Sequence, residues 1–125
     1  MQIADMLPPE AHRPVFSYLS PQHDFGPSFN LASWMLDRHV AGDRAEHPAL
    51  IHYDGDGRAT AVSYAALQQR VGRIAAALKS LGVMAGDRVL IGSREHPDTV
   101  AATLATFSVG AVAVPCSTLA RAKEI

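Results

Sequence analysis

Arg94, Glu95 and His96 are the densest group of chemically capable side chains in the sequence. They follow the apolar run Val89–Ile91, which is typical of a buried parallel strand, and they precede Pro97, a favourable first residue of a helix. Ligand sites of α/β proteins gather where a strand feeds a helix in this way. The favoured interpretation is nevertheless a solvated loop that caps the helix.

The one cysteine, Cys116, follows a second apolar run and Pro115. A thiol at the carboxyl end of a strand can act as a nucleophile, but no His or Lys is close in sequence to lower its pKa, although Arg121 is near. A small structural residue is the favoured interpretation. A single thiol cannot form an internal disulfide, so nothing requires an oxidising compartment. Ser63, Ser93 and Ser117 lack the Gly-x-Ser-x-Gly context of a nucleophile elbow.

Two patterns resemble metal sites and are interpreted otherwise. His39, Asp43 and His47 recur at steps of four, but Gly42 and Pro48 interrupt the helix that would align them. We interpret them as polar residues around a turn, and no metal site is predicted.

The second pattern is the run from Asp54 to Gly57, which has the acidic and glycine residues of a calcium loop. The twelfth position of such a loop requires Glu, whereas Ala65 stands there, so a hairpin turn is predicted. The glycines at 82, 86, 92 and 110 do not form a dinucleotide-binding pattern.

Composition sets the class of protein. The chain has 125 residues, 48% hydrophobic and 18% charged, with a formal net charge of −1. This composition is globular, and no basic field exists that would favour nucleic acid. Prolines interrupt the first 28 residues, which excludes a signal-peptide helix, and the weakly polar stretch Val100–Cys116 is too short to span a bilayer. A cytoplasmic location and no membrane partner are therefore expected.

The order of elements predicts an α/β protein. Residues 1–28 form an irregular Pro-rich leader, in which Val15, Phe16, Tyr18 and Leu19 are candidates to lie against the body. The predicted elements are a helix over Leu31–Val40 capped by Asn30, strands over Ala49–Tyr53 and Ala59–Val62, a helix over Tyr64–Leu81 capped by Ser63, a strand over Val89–Ile91, a helix from Pro97 to Gly110, a strand over Ala111–Val114 stopped by Pro115, and the start of a helix over Leu119–Ile125 capped by Thr118.

Helices between apolar strands indicate βαβ units and a parallel sheet. In the long helix five apolar residues recur at one-face spacing, namely Leu67, Val71, Ile74, Leu78 and Leu81, and the first four should pack on this sheet. In the next helix Val100, Leu104 and Phe107 form the apolar face. The sheet looks incomplete, so residues 29–125 are interpreted as part of a subdomain whose exposed edges favour association with more chain or with itself.

Four passages together resemble one family. They are Phe29–Ala32 with Leu36–Arg38, Val62–Leu67, Leu81–Val83 with Gly86–Val89, and Gly110–Pro115. Their order and spacing resemble the N-terminal region of AMP-forming acyl-CoA synthetases. Phe29-Asn30 and Leu36-Asp37-Arg38 look most like the benzoate- and 2-aminobenzoate-CoA ligase branch. The resemblance covers residues 29–125 and extends more weakly into the leader.

The resemblance implies a two-step reaction of a longer enzyme, here called the parent enzyme. A carboxylic acid, aromatic in this branch, reacts with ATP to give an acyl-adenylate and pyrophosphate, and the thiol of coenzyme A then displaces AMP. The phosphate-binding loop, the acidic residue for Mg²⁺ and the catalytic Lys of the family lie downstream of Ile125, so no catalytic residue is carried over. In some related ligases a basic residue near the final segment contacts the coenzyme A phosphates, which implies Arg121, or Lys123 in a shifted register.

Three functional hypotheses stay open. The first is the N-terminal segment of an aryl- or acyl-CoA ligase, inactive alone. The second is a non-catalytic interaction or structural module that reuses the scaffold. The third is a different α/β enzyme whose catalysis depends on Cys116 or on the Arg94–His96 group. The first is favoured because four separate passages support it.

Overall fold

The computed structural model describes residues 8–12, 28–94, 96–120 and 123. After a short 3-10 turn at Glu10–His12, the elements are α1 (Leu31–Val40), β1 (Pro48–Tyr53), β2 (Ala59–Ser63), α2 (Tyr64–Ser80), β3 (Arg88–Gly92), α3 (Pro97–Ser108) and β4 (Val112–Cys116). The predicted packing residues of the leader, Val15, Phe16, Tyr18 and Leu19, lie outside the described residues. The order of elements confirms the predicted α/β class.

The strands form two separate two-stranded sheets among the described residues. β1 and β2 are antiparallel, with Tyr53 opposite Ala59. Their turn depends on the Asp54 carboxylate, which accepts hydrogen bonds from the backbone N–H groups of Asp56 (3.0 Å) and Arg58 (2.8 Å). Gly57 supplies the positive φ of 78° that the turn requires. The predicted hairpin is therefore confirmed, and its acidic side chain is used within the turn.

The second sheet is the parallel pair β3–β4, in which Arg88 lies opposite Val112 and Gly92 opposite Cys116. α3 connects the two strands, so the segment from β3 to β4 is the predicted βαβ unit. Two backbone hydrogen bonds connect the starts of the two strands, one from Gly86 N to Gly110 O (2.9 Å) and one from Val112 N to Asp87 O (2.7 Å). These bonds hold the turn before β3 against the start of β4.

Pro115 does not stop the last strand, which continues to Cys116. The Val112 N–H points toward β3, because it bonds to Asp87 O. Successive N–H groups of a strand point to opposite sides, so position 115 directs its nitrogen away from β3. Proline is tolerated where the missing N–H would face away from the ladder. The predicted end of the strand at Val114 was wrong for this reason.

α2 begins at the predicted cap, because Ser63 Oγ accepts a hydrogen bond from Ala66 N at 3.2 Å. Its predicted stripe is buried at Leu67 (3% exposed) and Val71, while Ile74 and Leu78 are half-buried and pack against the same core. Leu81 was wrongly included, since it lies in the turn beyond the helix and is 79% exposed.

α3, rather than the sheet, is the main packing partner of α2. Ala101, Ala105 and Thr106 of α3 are fully buried at 0% exposure. Small side chains let two helix backbones approach closely, so α1 and α2 both pack on α3, while Leu67 and Val71 of α2 share their buried cluster with Val62 of β2. The face predicted for α3 was correct at Leu104, which is buried, and wrong at Val100, which is exposed.

The segment after β4 differs from the prediction. Ser117, and not Thr118, provides the cap-like oxygen, because its Oγ accepts a hydrogen bond from Leu119 N at 3.1 Å. Ala120 N donates to Ser117 O at 3.0 Å, so residues 117–120 form a turn instead of the start of a helix. Lys123 also lies in a turn, and the remaining residues of the predicted helix lie outside the described chain.

The Asn30 side chain connects the start of α1 to the end of α3, and its removal should lower the stability of the fold. Its Oδ1 accepts a hydrogen bond from Ser33 N (3.1 Å) and its Nδ2 donates to Ser108 O (3.2 Å). Asn30→Ala is expected to lower the free energy of unfolding by about 0.5–2 kcal/mol, the usual cost of losing an N-cap. A urea titration measures the loss. Asn30→Ser keeps a capping oxygen but not the reach to Ser108, so it should cost less than Asn30→Ala; an equal cost would show that the cap contributes nothing.

Candidate functional site

The loop from Gly92 to His96 lies at the carboxyl end of β3, where the sequence placed the candidate group. Thr99 Oγ1, in the first turn of α3, donates to the Arg94 carbonyl oxygen (2.8 Å) and lies 2.9 Å from Ser93 Oγ. Ser93 Oγ is in turn 3.1 Å from the same carbonyl. These bonds hold the loop against the first turn of α3, and the Ser93 hydroxyl takes part in them. Glu95 lies outside the described residues.

His96 caps α3, because its Nδ1 accepts a hydrogen bond from Asp98 N at 3.2 Å. The same nitrogen lies 3.2 Å from Asp98 Oδ2. On its other side the Asp98 carboxylate is bound by Arg70 of α2, with 2.8 Å between Nη1 and Oδ1. The imidazole, the carboxylate and the guanidinium therefore form a connected chain of polar groups. Both ends of the Arg70–Asp98 pair are partly exposed, so the pair contributes little to the free energy of unfolding.

An open cleft of about 520 Å³ lies between β1 and the start of α3. It is lined by the apolar side chains of Leu50, Ile51 and Val100 and by the imidazoles of His52 and His96. The two rings are 5.4 Å apart between centroids, with 67° between their planes. His52 was not among the predicted site residues. Its position on alternate residues of a strand with Leu50 was the available signal, since such residues share one face.

The other predicted candidates are not brought together. Cys116 is a half-buried free thiol whose Sγ lies 3.5 Å from Ser117 O. His39 stacks on Tyr64 with 4.4 Å between ring centroids, and this partial burial, together with the charges of Arg38 and Arg44, lowers the pKa of the imidazole. Within the described ranges no three His, Cys, Asp or Glu side chains are placed to hold a metal ion.

The predicted coenzyme A contacts cannot be placed on a site. Arg121 lies outside the described residues, and Lys123 is exposed in its turn. Arg70 is already paired with Asp98, and Arg38 lies over the Trp34 ring at 4.0 Å from its centroid. The guanidinium groups of Arg70 and Arg38 are therefore already in contact with other side chains.

Comparison with known proteins identifies the relationship. A family model described as AMP-binding enzyme matches residues 36–125. The chain belongs to the AMP-binding enzyme family. The match to this family includes every element from the end of α1 to β4, and it ends past the turn that contains Lys123.

Curated and solved relatives agree with the AMP-binding family. An acetyl-coenzyme A synthetase of Streptomyces coelicolor is 40% identical over 85 residues, which are 67% of this chain and 13% of the relative. The solved structure of CmiS6 is 34% identical with a TM-score of 0.66, covering 75% of this chain and 24% of CmiS6. Acetoacetyl-CoA synthetase from Streptomyces lividans is 35% identical with a TM-score of 0.63, and the match covers 69% of this chain and 13% of that synthetase.

The relatives are much longer than this chain. The chain spans about an eighth of the length of the curated relatives it matches. Among the described residues no helix has the length and apolar character needed to cross a membrane. The family and the fold are thus established, and the relatives that show them are several times longer than this chain.

Proposed function

We propose that this chain is the N-terminal part of an ATP-dependent, AMP-forming acyl-CoA ligase. The observation that carries the proposal is the family match over residues 36–125, on elements in the order β-hairpin, helix and βαβ unit. The parent enzyme would join a carboxylic acid to coenzyme A through an acyl-adenylate, with ATP, Mg²⁺ and coenzyme A as its reactants and cofactors. Residues 1–28 as a leader, residues 29–125 as part of one subdomain, and a cytoplasmic location belong to the same proposal.

The acid is the finer part of the proposal, and two classes have support. The curated relative of Streptomyces coelicolor is an acetyl-coenzyme A synthetase, which favours a short aliphatic acid. Phe29-Asn30 and Leu36-Asp37-Arg38 favour an aromatic acid by their resemblance to the benzoate branch. We give the short aliphatic acid first place, since 85 aligned residues carry more weight than five.

The experiment is a pyrophosphate-release assay on the full-length protein from the source gene, with acetate, propionate, benzoate and 2-aminobenzoate. A higher kcat/KM for acetate than for benzoate is expected. The reverse order would restore the aromatic branch and leave the ligase function intact. No pyrophosphate with any acid in a wider panel would support the other candidate function, a non-catalytic module that uses the scaffold for contacts with other chains.

Arg121 is proposed as a coenzyme A contact, with Lys123 as the alternative in a shifted register. A guanidinium holds a phosphate through two charge-assisted hydrogen bonds, so its loss should weaken coenzyme A binding selectively. In the parent enzyme Arg121→Ala is expected to raise the apparent KM for coenzyme A, by about tenfold for one lost charged contact, and to leave pyrophosphate release in the first half-reaction nearly unchanged. An unchanged coenzyme A dependence in both Arg121→Ala and Lys123→Ala would remove the assignment.

A further inference from the structure

His52 and His96 come from distant parts of the chain and meet in the lining of the cleft between β1 and α3. His52 is half-buried on β1, and His96 is exposed just before α3. Their ring centroids are 5.4 Å apart. Within the described chain the His52 imidazole makes no hydrogen bond, and its one ring contact is with His96. Each imidazole therefore keeps at least one ring nitrogen without a partner among the described residues, and both rings line the cleft.

The spacing of the rings fits a shared metal ion. Imidazole nitrogens bind Zn²⁺ at about 2.0–2.1 Å, and two rings on one tetrahedral ion then have centroids about 5 Å apart. The observed separation of 5.4 Å agrees with that distance. A rotation of the His52 ring about its χ2 angle is the adjustment that aims a nitrogen at the ion.

Asp98 supplies the support that a metal-bound histidine normally has. Such a histidine donates its other ring N–H to a carboxylate, which fixes its tautomer and orientation. His96 Nδ1 lies 3.2 Å from Asp98 Oδ2, and Arg70 holds the other carboxylate oxygen at 2.8 Å. With the proton on Nδ1, Nε2 is left free for an ion. This tautomer replaces the one in which Nδ1 accepts the Asp98 backbone N–H.

The local charge also favours a cation over an anion. The carboxylate of Asp98 is next to His96, and the guanidinium of Arg70 is engaged by that carboxylate. Imidazole ligands suit Cu²⁺, Ni²⁺ and Zn²⁺, whereas Mg²⁺ prefers oxygen. We propose that His52 and His96 bind one divalent transition-metal ion, Cu²⁺ most tightly, with water completing its coordination and Asp98 as the positioning residue. The site does not depend on the ligase function.

The test is a Cu²⁺ titration of the untagged protein followed by electron paramagnetic resonance, with circular dichroism to check folding. One equivalent with nitrogen hyperfine structure from two imidazoles is expected. His52→Ala and His96→Ala should each weaken binding at least tenfold, and Asp98→Asn by about tenfold, as supporting partners of metal ligands usually do. His47→Ala, which removes an exposed histidine outside the pair, is the matched control and should leave binding unchanged.

A second measurement needs no variant. In a proton NMR spectrum substoichiometric Cu²⁺ should selectively broaden the ring signals of His52 and His96. Equal broadening of all histidine rings, or equal affinities of His52→Ala and His47→Ala, would show non-specific binding and overturn the proposal. Pyrophosphate release by the parent enzyme is read separately, so failure of the metal site leaves the ligase proposal standing, and the reverse.

Discussion

The purified 125-residue chain is expected to release no pyrophosphate above a mock preparation when given ATP, Mg²⁺ and a carboxylic acid. Phosphoryl-type chemistry depends on groups that stabilise the developing charge on the phosphates, and these usually supply the largest part of the rate enhancement. The sequence holds no Ser/Thr/Gly-rich loop with a lysine, and two of the described arginines, Arg38 and Arg70, already contact other side chains. A coupled pyrophosphate assay with acetate, benzoate and longer acids measures the result.

The positive control for this assay is the full-length protein from the source gene under the same conditions. Turnover by the 125-residue chain alone would contradict the interpretation as a segment of a ligase. If that turnover disappeared in Cys116→Ser or His96→Ala, it would assign catalysis to a group of this chain itself, as the third hypothesis holds. Retention in both variants would direct the search to other residues.

Leu67→Ala should be the most destabilising of the single changes considered. Leu67 is 3% exposed in the cluster that joins α1, β2, α2 and α3. Truncation of a buried leucine removes apolar contact and leaves a cavity, at a cost of about 2–5 kcal/mol. We expect that decrease in the free energy of unfolding in a urea titration followed by circular dichroism.

The control lies on the opposite side of the same helix. Gln69 is exposed, and Gln69→Ala should change stability by about 0.5 kcal/mol or less. Leu78→Ala should fall between the two, because Leu78 is half-buried at the edge of the cluster. Similar losses for Leu67→Ala and Gln69→Ala would mean that α2 presents a different face to the core.

The beginnings of the helices could be predicted because their signals are local. Asn30 and Ser63 cap α1 and α2 by bonds to residues three positions ahead, and Pro97 starts α3 as its fixed φ favours. The hairpin turn is similarly determined by Asp54 and Gly57 within five residues. These interactions are present in the sequence pattern itself, so the structure confirms them almost residue for residue.

Packing between elements was less predictable. The burial of Ala101 and Ala105 depends on α2 lying across α3, and alanine gives no strong periodic signal of such a contact. The pairing of His52 with His96 likewise requires β1 to lie beside the start of α3. Both contacts are between segments that are far apart in the chain. The periodicity of a single sequence predicts the buried face of one segment, but not which other segment packs against it.

Pro115 makes the two outer edges of the β3–β4 ribbon chemically unequal. A strand added beside β4 would lose one donor at position 115, whereas the outer edge of β3, from Arg88 to Gly92, has its full row of N–H groups. Proline on an edge is a known protection against templated strand addition. Stacking of copies into aggregates through this ribbon should therefore begin at β3, and a charged residue introduced on that strand would be the more effective way to keep the protein in solution.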